Sequence, residues 1–168
     1  MCNLGFFISV FYFSIIIRKT KNMAELMFKV PVEVEPKRDS RFIVEFPTEF
    51  NIESWCIQGA TKPLWVNGEW QNIEIELIDP IGPSMSVAIF SLMEFFKNNK
   101  PGFFSKKKSL FSINIKALDP TGVEVEKWTI GIERLISVDF GSFHYGSDDI
   151  QKISIILKPS DCILKDLK

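Results

Sequence analysis

Apolar residues that recur at every second position constrain this chain more than any other feature of its sequence. Ile73, Ile75 and Leu77 alternate with Glu74, Glu76 and Ile78, and Ile153, Ile155 and Leu157 alternate with Ser154, Ile156 and Lys158. A period of two places one set of side chains on one face of an extended strand. Phe42, Val44 and Phe46 repeat the pattern and stop at Pro47, and Trp55 and Ile57 form a short strand ended by Gly59. Further strands are expected from near Leu110, from Val123 through Ile132, and from Leu135 to Phe140 before Gly141. That is roughly seven strands, each bounded by turn chemistry.

Two of these strands end in the same signal. Asp79-Pro80-Ile81-Gly82 and Asp119-Pro120-Thr121-Gly122 each place Asp, Pro and Gly where a type I turn favours them. The Asp side chain can bond the backbone ahead, and the proline ring presets φ. The continuations differ. After Gly82, Ser84 is expected as a helix N-cap, and Met85, Ala88, Ile89, Leu92, Met93 and Phe96 recur at helical spacing. Pro101-Gly102 is the expected stop. After Gly122 alternation resumes, with Val123 and Val125 on one face and Glu124 and Glu126 on the other. It slips by one residue at Lys127-Trp128, which predicts a bulge there. The first turn launches a helix; the second turns a hairpin.

Val66-Asn67-Gly68-Glu69 carries the Asn-Gly pair preferred at a type I′ turn, flanked by Trp65 and Trp70. The fold class that follows is mainly β: a β-sandwich or barrel of antiparallel strands with one flanking α-helix.

The chain has 168 residues, enough for one domain with a core, and 46% of them are apolar. The first 22 residues stand apart. Leu4–Ile17 is an apolar run too short for a comfortable membrane span, and basic residues follow it rather than precede it. Residues 1–22 read as an upstream extension before a start at Met23, or alternatively as an N-terminal anchor. Residues 23–168 read as one β domain. That body holds 17 basic and 21 acidic residues, a formal −4, which argues against a nucleic-acid reader with a basic face. Pro31, Pro36 and mixed charges make Lys29–Arg41 an exposed arm. The odd set Cys2, Cys56 and Cys162 lacks metal or disulfide spacing and fits a reducing compartment, with Cys56 a buried thiol.

No residue pattern in the sequence indicates catalysis, a cofactor or a metal. His144 is the one histidine, set between Phe143 and Tyr145. Asp148-Asp149 lies in no Asx-rich calcium loop. There is no phosphate-cradling loop, nucleophile elbow or HExxH. An enzyme using Asp139, His144, Asp148 or Asp149 is the weakest reading. Lys106-Lys107-Lys108 reads as a solvated strand entrance. Trp55, Trp65, Trp70 and Trp128, with 16 Phe, supply more aromatic surface than the core of a chain this size needs. Part of that surface suits a partner.

Four blocks carry a family likeness: "ATKPLW" (Ala60–Trp65), "IELIDPIGPSMS" (Ile75–Ser86), "LDPTGVEVEKWTI" (Leu118–Ile130) and "VDFGSFHYGSDDIQKISIILKP" (Val138–Pro159). In that order they resemble the tail tube proteins of T4-type contractile-tailed bacteriophages, over about Arg41 to Pro159. The resemblance implies packed antiparallel sheets with a flanking helix. It further implies six copies closing into a ring, rings stacking into a tube, and DNA leaving the capsid through the lumen without sequence-specific binding. The implied partners are further copies of the chain, the tail sheath and the baseplate, and the implied location is the virion tail, assembled in the host cytoplasm. Many relatives carry a longer hairpin where this chain has only Trp65–Trp70 and a short lead-in, so the chain departs from the likeness over Lys62–Gln71; Trp65, Asn67, Gly68 and Trp70 are the expected subunit-interface residues. Two alternatives stay open: a baseplate component that initiates the tube, and a membrane-anchored β-sandwich binding module.

Overall fold

The computed structural model describes residues 36–99, 109–146 and 148–167. The chain divides into two compact units, Met1–Pro36 and Lys37–Lys168, and the second carries the fold. The boundary expected at Met23, the apolar run Leu4–Ile17, Lys106–Lys108 and the Pro101-Gly102 stop lie outside the described residues.

Eight strands and one α-helix are present among the described residues. They are β1 (Phe42–Glu45), β2 (Ile57–Ala60), β3 (Trp65–Val66), β4 (Glu69–Trp70), β5 (Ile73–Ile78), α1 (Met85–Asn98), β6 (Phe111–Leu118), β7 (Glu124–Asp139) and β8 (Lys152–Asp166). Six strands form one antiparallel sheet in the order β1-β6-β7-β8-β5-β2, and β3 and β4 form a separate hairpin. The sheet curls into a nearly closed barrel. Its two edge strands are not hydrogen-bonded to each other, but Phe42 of β1 and Ala60 of β2 line one small cavity at the seam.

The alternation sets the inner face. Val44, Ile73, Ile75, Leu77, Ile113, Ile130, Ile132, Ile153, Ile155 and Leu157 are fully buried and point into one core. Burying a side chain of this size stabilises the fold by roughly 1.5–3 kcal/mol, which is why the pattern fixes the register so firmly. α1 adds Met85, Ala88, Ile89 and Leu92 from one stripe. Phe50, on a single 3-10 turn (Thr48–Phe50), packs its ring against Phe95 and Phe111 at centroid distances of 5.2 and 5.0 Å.

The expected strand count differed for two reasons. Val123–Ile132 and Leu135–Phe140 read as separate strands because the apolar period breaks between them. In the structure β7 runs through both. Its core-facing positions go Ile130, Ile132, Leu135, Val138, and each three-residue step accommodates one extra residue, Glu133 and then Ile136. A bulge keeps the ladder to β8 while resetting the pleat. The hairpin β3–β4, with two residues per strand, adds the others.

Three local expectations are corrected. The bulge expected at Lys127-Trp128 falls at Val125, since Ala117 faces Glu126 while Leu118 faces Glu124. Glu126 therefore lies on the core face and is 9% exposed, not on an outer face with Glu124. The strand expected around Trp55 begins only at Ile57; Ser54–Cys56 is a 3-10 turn that leaves Trp55 59% exposed and buries Cys56 completely.

Candidate functional site

Asp79 and Asp119 perform different tasks. Ser84 occupies the N-cap position of α1 in extended backbone but makes no side-chain cap bond. The acceptor is Asp79: its Oδ1 takes the amides of Met85 (2.7 Å) and Ser86 (3.2 Å), and its Oδ2 takes the Ser86 hydroxyl. The Ser84 hydroxyl also leans on Asp79, at 3.4 Å. Burial would raise the Asp79 pKa, but the bonds from Ser86, Met85 and Ser84 together hold it below the ordinary value. Asp119 instead bonds its own loop. Its Oδ1 accepts from the amides of Thr121 (2.8 Å) and Val123 (2.9 Å), and the Gly122 amide donates to the Asp119 carbonyl at 3.1 Å. Gly122 has φ +85°, a conformation few other residues adopt cheaply. Pro80 and Pro120 sit inside these two connections, and Gly82 follows Pro80 without positive φ.

The hairpin residues lie together. Asn67 (φ +52°) and Gly68 (φ +86°) form its tip. Trp65 and Trp70 face each other across it, edge to face at 4.8 Å, and Trp70 meets Trp128 at 6.4 Å. Trp65 stays 55% exposed, and its chain neighbours Leu64 and Val66 are exposed as well.

Trp128 leads to a group that alternation hid. Its indole Nε1 donates to Glu126 Oε1 at 2.7 Å. Lys62 reaches the same oxygen at 3.0 Å, and Lys37 bonds Oε2. Lys37 precedes β1, Lys62 follows β2, and Glu126 belongs to β7, so one carboxylate ties both sides of the seam. The Lys37 ammonium, opposed by burial and helped by Lys62 and Trp128, lowers the Glu126 pKa to about 2. The signal in the sequence was the phase slip itself: residues i and i+2 on a strand share a face, so Glu126 follows Trp128 inward. On the outer face Lys116 bridges Glu45 (2.6 Å) and Glu124 (2.5 Å), which raises its pKa through the bond to Glu124 and then Glu45.

The remaining candidates sit on the loop between β7 and β8. His144 Nε2 lies 3.2 Å from the Ser142 hydroxyl, and both are exposed. Asp148 and Asp149 lie on the far limb of the same loop. Asp139 accepts the Gly141 amide at 2.9 Å, closing the end of β7. Among the described residues no group of three or more His, Cys, Asp or Glu could hold a metal ion, and no helix is long and apolar enough to cross a membrane. Cys162 is partly covered, and burial followed by the nearby Asp161 charge pushes its thiol up to about 11. What the fold brings together is surface and edge: an aromatic hairpin, an ionic tie at a seam, and a long two-stranded ribbon (β7–β8) that outruns its neighbours. Such an arrangement presents backbone and apolar surface to other chains.

No family model and no curated protein matches the chain. Solved structures do. The chain is similar to one in the six-fold symmetrised baseplate of the anti-feeding prophage, with TM-score 0.51 and 15% identity, covering 80% of this chain and 99% of that one. It is similar to one in the tube-terminating cap of the same prophage, with TM-score 0.51 and 16% identity, covering 83% and 99%. A third similarity is to a chain in the sheath/tube terminator of the extracellular contractile injection system PVC in its extended state, with TM-score 0.51 and 17% identity, covering 80% and 99%. At these identities the likeness is one of fold: this chain has the barrel-and-helix fold found in assemblies of contractile injection systems.

Proposed function

We propose that this chain is a structural subunit of a bacteriophage tail tube, assembling with itself into stacked six-fold rings that form the conduit for DNA ejection. The observation that carries the reading is the fold, a nearly closed antiparallel barrel with one helix that spans nearly the whole of chains from contractile injection assemblies. The ordered blocks from Ala60 to Pro159 add to it. The fold's open features support the same reading. A ladder interrupted at β1 and β2 leaves backbone groups that neighbouring subunits can pair. A mildly acidic body lets a polyanion slide rather than stick. In this reading the chain is not an enzyme, and its partners are its own copies, sheath and baseplate, within the virion tail.

A baseplate tube initiator is the second reading. Its specific support is the hairpin β3–β4, whose strands are two residues each, leaving little reach for stacking one ring on the next.

Electron microscopy of the purified chain, with light scattering on the same sample, tests both. Stacked tubes are expected for a main tube subunit and isolated single rings for an initiator. A protein that stays monomeric at high concentration overturns both.

A further inference from the structure

β7 is paired with β8 to its last residue, Asp139, but with β6 only from Glu124 to Ile132. Past the bulge at Glu133, the segment from Arg134 to Asp139 has a ladder partner on one side only, among the described residues. Beside that segment lies the second half of α1. Met93, Phe96 and Lys97 face Arg134, Leu135, Ile136, Ser137 and Val138 across an open groove of about 550 Å³. The lining contains two cations, Lys97 and Arg134, and no acid. Most of its surface is apolar, and Ile136 is 43% exposed.

The loop that follows β7 has the opposite character. Phe143 is 92% exposed and Tyr145 fully so, and Asp148 and Asp149 follow them. Its own concavity is bounded by Gly141–His144 and Asp148–Lys152, whereas the groove's lining ends at Val138, so within one chain the loop does not fill the groove. Two aromatic rings standing in water at a loop tip, with acids behind them, complement an apolar groove rimmed by cations.

We propose that the loop carrying Phe143 and Tyr145 docks into the α1–β7 groove of a second copy of this chain. The rings pack against Met93, Phe96, Leu135 and Val138, and the acidic limb at Asp148 faces Lys97 and Arg134. The β7 edge that lacks a ladder partner among the described residues supplies backbone donors and acceptors to the incoming loop, as edges do when an extended segment is added. This contact rests on the reading that the chain assembles with itself, and it specifies the surfaces that meet.

The test uses the full chain, with assembly followed by light scattering and microscopy and folding checked by thermal melts. Phe143→Ser/Tyr145→Ser removes the rings from an exposed tip, so an unchanged melt is expected together with at least a tenfold rise in the concentration needed for assembly. Asp148→Lys/Asp149→Lys should weaken assembly similarly. Adding Lys97→Glu/Arg134→Glu to that variant should restore it, because the paired charges are exchanged. A loop variant that assembles at the wild-type concentration, or a charge exchange that restores nothing, overturns the contact and leaves ring assembly standing. A wild-type chain that does not self-associate overturns both.

Discussion

Glu126 faces the core yet keeps its charge, because three donors reach it from three parts of the chain. Its folded pKa, lowered to about 2 from 4.5, makes its contribution depend on pH with a definite sign. The contribution is complete above about pH 4.5, where the unfolded carboxylate is already ionised, and it is lost as pH falls toward 2. Both lysines are half exposed, which screens their share, so Glu126→Gln should cost about 2 kcal/mol at neutral pH. Thermal melts of the two proteins should converge as pH falls from 4.5 toward 2. A constant gap across that range would show that packing, not charge, is what the substitution removed. Asp79 gives a second contrast. Because it, and not Ser84, accepts the first amides of α1, Asp79→Ala should cost about 1–2 kcal/mol while Ser84→Ala costs a few tenths. Equal losses in denaturant melts would count against that assignment.

The β7–β8 ribbon shows how an element can follow a rule of period two while breaking it locally. Three extra residues, Glu133 and Ile136 on β7 and Ser160 on β8, bend the ribbon and keep both apolar sets facing the core. Gly131 sits beside the extra residue Ser160 of β8. A Cβ there would fall on the Asp161 carboxylate and come within 2.9 Å of both the Ser160 hydroxyl and the Ser109 side chain. The Ser160 hydroxyl also donates to the Gly131 carbonyl at 3.2 Å, so the crowding belongs to the bulge itself. Gly131→Ala should therefore destabilise the fold by about 1–3 kcal/mol, as overpacking does, despite Ala being the better residue for most backbones. Calorimetry would check this. A stabilised variant would mean that the bulge yields easily.

At the scale of the molecule the sheet has a stable middle and two loose margins. β5, β6, β7 and β8 lie inside the sheet, whereas β1 and β2 each have one ladder partner and meet at a seam held by Lys37, Lys62 and Glu126. Amide exchange should then be slowest in Ile73–Leu77 and Ile153–Leu157 and fastest, among the sheet strands, in β1 and β2. Uniform protection across all six strands would indicate a barrel closed by more than side chains. Glu126→Gln should accelerate exchange in β1 and β2 more than in β5. Assembly with other copies should slow exchange at whichever margin is covered, and the measurement on rings would identify it.

Local pattern alone was enough for the mainly β fold class, the inward faces of β5 and β8, a helix opening at Met85 and the burial of Cys56. Each is a local consequence of period and burial, since a residue's face follows from its neighbours two or four positions away. It did not determine where the ladder tolerates an extra residue. Val125, Glu133 and Ile136 look like breaks in the sequence because only the partner strand shows that pairing continues past them. For the same reason Glu126 read as an outer-face residue, and Lys37 and Lys62 carried no signal: the distances that join them span 89 and 64 positions. The same holds for the cap of α1, where an acceptor six residues before the helix amide displaces the residue at the cap position. The groove between α1 and β7 was likewise invisible, because it exists only where a strand runs past the end of its neighbour. Local pattern fixes which face a side chain takes; only the closed chain decides which distant groups that face will meet.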